Sequence, residues 1–234
     1  MTTRKKTSVV PRQALRDGVY EALLEKLLDG SMPPGAALGI DSLSRELGVS
    51  QTPVREALVQ MEHTGLVSRV ALKGYRVAPP LSSRQLAELH DARSMLEATA
   101  IERAVPRTDE LLPELRAAHA QHVLAAHRVR KLRGGEGPPT DHSDLREYFQ
   151  ADWEFHLTII RAAENHFLVQ MAETLSAHVH RMRQTVDHGT FDIDQAVAEH
   201  AAVLAAFESG DPEAPARAMR AHLTGVAQRS VEDA

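Results

Sequence analysis

The run "YFQADWEFH" (148–156) holds the only tryptophan of the chain and two of its five phenylalanines; among those rings stands Asp152, and directly after them, one helical turn on, His156. Plotted on a helix, both fall at the centre of the arc made by Leu145, Phe149, Phe155, Ile159 and Ile160, so both are aimed inward. Further along, His200 falls among Ile193, Val203, Leu204 and Phe207, and His222 among Ala218, Met219 and Val226. An inward carboxylate is costly unless it is paired, protonated or bound to a metal. A lone inward histidine is commonly a hydrogen-bonded core residue, but three of them with an aspartate, on three helices, suit a divalent cation. Bundles build metal sites by projecting Asp and His from facing helices, and zinc, or alternatively nickel or manganese, needs no thiolate there. Spacing leaves open whether the three helices meet.

Two more residues are candidates for a ligand site beside that cluster. Arg93 lies on a stripe through Leu86, Leu89, Leu96, Ala100 and Ala104, with His90 and Glu97 close by. A guanidinium so placed takes either a planar anion, such as a small carboxylate, or an internal glutamate. His178 sits beside Met171, Leu175 and Met182, either facing an effector or packed in the core. His119, His122, His127, His142, His166 and His188 read as surface or loop residues.

The elements that must position these groups divide at "RVAPPLSSRQ", where Pro79 and Pro80 stop any ladder or helix and Ser82 or Ser83 can cap a new one. This predicts one domain over 1–80 and a second over 81–234. The second reads as helix throughout, roughly 83–104, 108–130, 144–163, 167–187, 193–209 and 212–230: an all-α antiparallel bundle with a long Gly/Pro-rich loop at 130–144. The first shows three helices and a small two-stranded wing. Its third helix carries Val54, Ala57, Leu58 and Met61 at core spacing, which turns Gln51, Thr52, Arg55 and Gln60 outward. A short helix, a tight "GVS" turn and a second helix make a helix-turn-helix.

Composition narrows the function classes. The net charge is −5, yet residues 1–80 carry 11 Lys+Arg against 8 Asp+Glu, and residues 81–234 carry 16 against 24. A mildly basic head on an acidic, histidine-rich body suggests a polyanion partner for the first. With no cysteine, disulfides, thiolate nucleophiles and Cys-based zinc sites are excluded. The basic start "MTTRKKTSVV" has no apolar signal core after it, and no membrane-spanning run occurs, which predicts a cytoplasmic protein without a membrane partner.

"LGVSQTPVREAL", the following "GLV" and "KGYRV" resemble the winged helix of GntR-type bacterial transcription regulators. The resemblance implies operator contacts at Ser50, Thr52 and Arg55, to which the helix N-terminus adds Gln51 and the wing adds Lys73, Gly74 and Tyr75; Arg45 is a looser phosphate candidate. Gln51 stands where relatives often carry arginine, and Asp41 lies where some place another DNA-reading arginine. "ADWEFHLTIIRAAEN", "LHDARSMLEATAIERA" and "EHAAVLAAFESGDPEAPARAMRAHL" resemble the FCD domain of the FadR-like branch. That likeness implies a metal held by Asp152, His156, His200 and His222 and a small organic acid held near Arg93. The expectation is a homodimeric, ligand-responsive repressor on double-stranded operator DNA and not an enzyme, with the metal itself as signal in a second reading. A metalloenzyme is set aside because Glu97, Glu154 and His178 form no spacing-defined catalytic motif.

Overall fold

The computed structural model describes residues 12–28, 31–133, 142–185 and 192–232. The chain divides into two compact units, Met1–Pro79 and Pro80–Ala234.

The first unit contains α1 (Arg12–Leu28), β1 (Ala37–Leu38), α2 (Ile40–Glu46), α3 (Gln51–His63), β2 (Val67–Val70) and β3 (Gly74–Val77). Val54, Ala57, Leu58 and Met61 are all fully buried, so the predicted stripe of α3 is its core face. Helix α1, which buries Val19 and Leu23, packs on that helix. Between α2 and α3 the chain reverses at Gly48, whose φ of +66° suits a residue without Cβ, and the Val49 N–H closes the turn on the Ser44 carbonyl at 3.0 Å. The wing is a hairpin with Val67 opposite Val77 and Val70 opposite Gly74.

The sheet differs from the expected two strands. Its order is β1-β3-β2, because Ala37 and Leu38 pair with Arg76 and Tyr75 along the other side of β3. Two residues are too few to show the alternation by which a strand is read. The addition buries Leu38 to 5% exposure.

Among its described residues the second unit is entirely helical: α4 (Ser83–Ala104), a 3₁₀ turn (Val105–Arg107), α5 (Thr108–Arg133), α6 (His142–Ala162), α7 (His166–Thr185), α8 (Ile193–Glu208) and α9 (Ala214–Glu232). Helix α4 opens with a capping box, the Gln85 N–H donating to Ser82 Oγ while the Ser82 N–H donates to Gln85 Oε1. Most of the predicted 130–144 loop, and residues 186–187 of the predicted fourth helix, lie outside the described residues. Helix α6 supplies residues to three apolar clusters: Trp153, Leu157 and Ile160 to one, Phe155 and Ile159 to a second, Tyr148 and Phe149 to a third. Asp152 and His156 are buried between those residues, at 1% and 0% exposure. None of the described helices is long and apolar enough to cross a membrane.

Candidate functional site

Three of the four expected donors, His156, His200 and His222, form one group, and Asp152 joins it only through His200. Asp152 and His156 from α6, His200 from α8 and His222 from α9 are all at most 1% exposed. His156 Nε2 lies 3.2 Å from His200 Nε2, and one ring nitrogen from each of His156, His200 and His222 lies within 4.8 Å of the others. Asp152 Oδ1 is 3.8 Å from His200 Nε2. Nitrogens bound tetrahedrally to zinc at 2.0–2.1 Å stand roughly 3.3 Å apart, so these positions already approximate part of a coordination shell.

His122 corrects the sequence reading, which placed it on the surface. It is fully buried on α5, with Nδ1 3.0 Å from His200 Nδ1 and Nε2 3.7 Å from Asp152 Oδ1, forming with them a second possible donor group. Its ring packs 5.0 Å from that of Tyr148. Of the other histidines read as surface, His127 and His166 are exposed and His119 is half-buried.

Around the cluster, the outward nitrogens of the histidines are held from other helices. His156 Nδ1 donates to Glu97 Oε2 at 2.7 Å, and His222 Nδ1 donates to Glu199 Oε2 at 2.8 Å. These bonds fix the tautomers so that the Nε2 lone pairs face inward, the arrangement by which outer partners orient metal-binding imidazoles. Burial would raise the Glu97 carboxyl, but the charges of His156 and Arg93 and the hydrogen bond from His156 outweigh it and hold the group at about 2. Burial drives His222 down to about 4 and His200 well below its usual range. Both rings are therefore neutral at pH 7, the form that binds cations. His222 Nε2 is buried with no hydrogen-bond partner, an orphan that a metal ion would satisfy. Three imidazoles and one carboxylate, with no thiolate, are donor types that suit a divalent cation such as zinc.

A pH dependence follows for the metal-free chain. An unfolded histidine takes up a proton near pH 6.5, whereas folded His222 resists until about 4, so protons favour the unfolded state across that window. Stability is complete above pH 6.5 and is expected to fall by about 3 kcal/mol from this group alone as pH drops to 4. Glu97, depressed from 4.5 to about 2, adds a second loss over that lower interval. Urea unfolding between pH 7.5 and 4 checks the first loss, and a flat profile contradicts it.

Arg93 is fully buried on α4. Its Nε donates to Glu97 Oε1 at 3.0 Å, its Nη2 lies 3.5 Å from His156 Nε2, and its Cζ stands 5.3 Å from the Trp153 ring centroid. Nη1 has no hydrogen-bond partner. The internal Arg–Glu pair thus exists, and it leaves one end of the guanidinium uncommitted. His178 is half-buried on α7 and belongs to neither donor group.

In the first unit, Ser50 occupies the N-cap position of α3 in an extended conformation, and its hydroxyl makes no capping bond. Gln51, Thr52 and Arg55 are exposed on the first turns of that helix, as are Arg45 on α2 and Lys73 and Gly74 at the wing tip. Among the described residues Arg45, Arg55 and Lys73 have no ion-pair partner. Tyr75 differs from expectation: at 6% exposure its ring belongs to the interior of the wing. Gln51 Nε2 donates to Asp41 Oδ1, so the two positions that depart from the expected pattern touch each other.

Comparison with known proteins agrees with both halves. Residues 15–77 match the model "Bacterial regulatory proteins, gntR family" and residues 88–225 match the model "FCD domain". The probable D-xylose utilization operon transcriptional repressor of Paenarthrobacter nicotinovorans is 28% identical over 212 residues, covering 91% of this chain and 87% of the relative. The HTH-type transcriptional repressor GlaR of Escherichia coli (strain K12) is 32% identical over 158 residues, 67% of this chain and 66% of the relative. The solved structure of E. coli McbR/YncC shares the fold, with a TM-score of 0.75 at 22% identity over 96% of this chain and 99% of that one. A gntR-type winged helix followed by an FCD helical domain across most of the chain establishes that it belongs to the gntR family of bacterial regulatory proteins, a family of transcription regulators and not of enzymes.

Proposed function

We propose that this chain is a transcriptional repressor that binds operator DNA through α3 and the wing and responds to a small organic acid at a metal in the C-terminal bundle. The metal ligands are Asp152, His156, His200 and His222, zinc being the first candidate and nickel or manganese the alternatives. The observation that carries the reading is the arrangement around His156. Its Nε2 faces two other buried histidine nitrogens, and the Arg93 guanidinium, with Nη1 unmatched, borders the same space. Once bound, the ion would offer positive charge and open coordination positions to a carboxylate or hydroxy-carboxylate. Arg93 supplies a fixed planar donor to the same anion. His178 stands as an effector-facing candidate on α7.

A homodimer would set two α3 helices on successive half-sites of a palindrome. The exposed Met95, Phe167 and Met171, at 68%, 72% and 54% on the adjacent helices α4 and α7, support a protein-covered face there. Sedimentation of the unaltered chain and of Phe167→Asp checks this, the variant being expected as a monomer. Effector binding then shifts the population of head arrangements and with it the affinity for DNA.

The test is operator binding to DNA upstream of the chain's own gene, measured by fluorescence anisotropy against random DNA at matched salt. With metal loaded, small carboxylic acids are expected to weaken selective binding at least fivefold in the unaltered chain and not in Arg93→Met. No selective binding at all defeats the DNA reading. The neutral, buried histidine nitrogens also favour a second reading in which the metal is the signal; a switch on metal alone, with no acid response, selects it.

A further inference from the structure

We propose that Glu199 is the positioning residue of His222 and that Arg229, lying across Gly225, holds Glu199 in that role. The clamp sets the affinity of the histidine cluster for its metal, so the inference rests on the metal reading above.

Helix α8 delivers two consecutive residues to the site. His200 enters the cluster, while Glu199 accepts the Nδ1 proton of His222 from α9 at 2.8 Å and leaves His222 Nε2 inward with no protein partner. Glu199 is itself gripped from α9: Arg229 Nη1 donates to its Oε1 at 2.9 Å and Nη2 to its Oε2 at 3.0 Å. Such a two-pronged pair fixes both the position and the plane of a carboxylate. The same guanidinium donates through Nε to Asp192 Oδ2 at 3.3 Å, and Asp192, at the N-cap position of α8, makes no capping bond with its side chain. One arginine therefore ties two points about two turns apart on the helix that carries His200 to the helix that carries His222.

Gly225 lies between His222 and Arg229 on α9. Glycine is a poor residue inside a helix, but a Cβ here would stand 2.9 Å from Arg229 Nη1 and 3.0 Å from Glu199 Oε1. Both atoms end flexible side chains, so alanine fits the backbone by pushing the ion pair aside. The open space over Gly225 is what lets the guanidinium and the carboxylate meet there.

The experiment measures zinc affinity of the full chain by competition with a chromophoric chelator, alongside thermal unfolding of each metal-free protein. Removing an outer partner of a metal-bound histidine typically weakens binding 10- to 100-fold. Glu199→Ala is expected in that range, and Arg229→Met, Gly225→Ala and Glu199→Gln several-fold, the last because its amide oxygen still accepts the Nδ1 proton while its NH2 can no longer accept from Arg229. Gly225→Ala carries the discriminating sign: metal-free stability holds or rises with the better helix former while zinc affinity falls. Zinc affinities of Glu199→Ala and Gly225→Ala within twofold of the unaltered chain overturn the clamp alone. An unaltered chain that binds no zinc, nickel or manganese overturns the metal reading and the clamp with it.

Discussion

Replacing His200 with alanine is expected to erase the stabilisation that a divalent metal gives the C-terminal unit. Of the two donor groups among the described residues, one formed with His156 and His222 and the other with His122 and Asp152, His200 is the member common to both. Its loss disables either arrangement. For the unaltered chain, zinc at about 1,000 times its dissociation constant adds about 4 kcal/mol. In a unit of this size that raises the melting temperature by roughly 8–16 °C. The variant should shift by less than about 2 °C under the same conditions. Alanine also removes the ring that stacks on Phe155 at 4.2 Å, so the metal-free variant melts lower for reasons of packing alone. The informative quantity is therefore the difference with and without metal within each protein. His178→Ala, outside both donor groups, should keep the full shift. An undiminished shift in His200→Ala removes the cluster from any account of metal binding.

The residues most legible in the sequence were those with strong contrast to their neighbours. Asp152 and His156 stand among rings and branched aliphatics, so helical spacing alone aimed them inward, and they are buried at 1% and 0%. His122 was missed although it obeys the same rule. Leu111, Leu115, Ala118, His122, Ala125 and Val129 follow each other at three- and four-residue steps, and all are buried. The stripe is faint because α5 is rich in alanine, which packs in cores and lies on surfaces equally well. A histidine flanked by alanines gives no polarity contrast from which to read its direction.

The outer partners had no local signal of any kind. Glu97 lies one turn from Arg93 on its own helix, and that pairing could be foreseen. That its second oxygen meets His156, 59 residues away, could not. Glu199 and Arg229 are charged residues on partly exposed helix faces, where the expectation is a solvated surface. Only the crossing of α8 and α9 brings the carboxylate behind His222. Helix ends were legible to within a few residues because caps and glycines mark them locally. The two-residue strand β1 was not, since its partners Tyr75 and Arg76 lie far along the chain.

Substituting Arg55 with alanine is expected to have the largest effect on DNA binding of any single change in the first unit. Arg55 is exposed on the second turn of α3 and, among the described residues, has no ion-pair partner, so its guanidinium is not already committed. An arginine that makes two hydrogen bonds to a guanine edge contributes about 1–3 kcal/mol of discrimination. A homodimer loses that contact twice, about 2–6 kcal/mol in all, or on the order of 30-fold to 10⁴-fold in affinity for the operator. Binding to random DNA should fall far less, because that term comes from phosphate neutralisation. Lys73→Ala supplies the contrast: a phosphate contact at the wing tip should weaken all sequences alike and lower the salt slope by about one per protomer. If Arg55→Ala behaves as Lys73→Ala does, Arg55 touches phosphate and the base reading passes to Gln51. That residue is suited to adenine through its amide, but Asp41 already takes one of its N–H donors. Asp41→Ala would then free that donor and alter the preferred base at a single operator position, leaving the salt dependence unchanged.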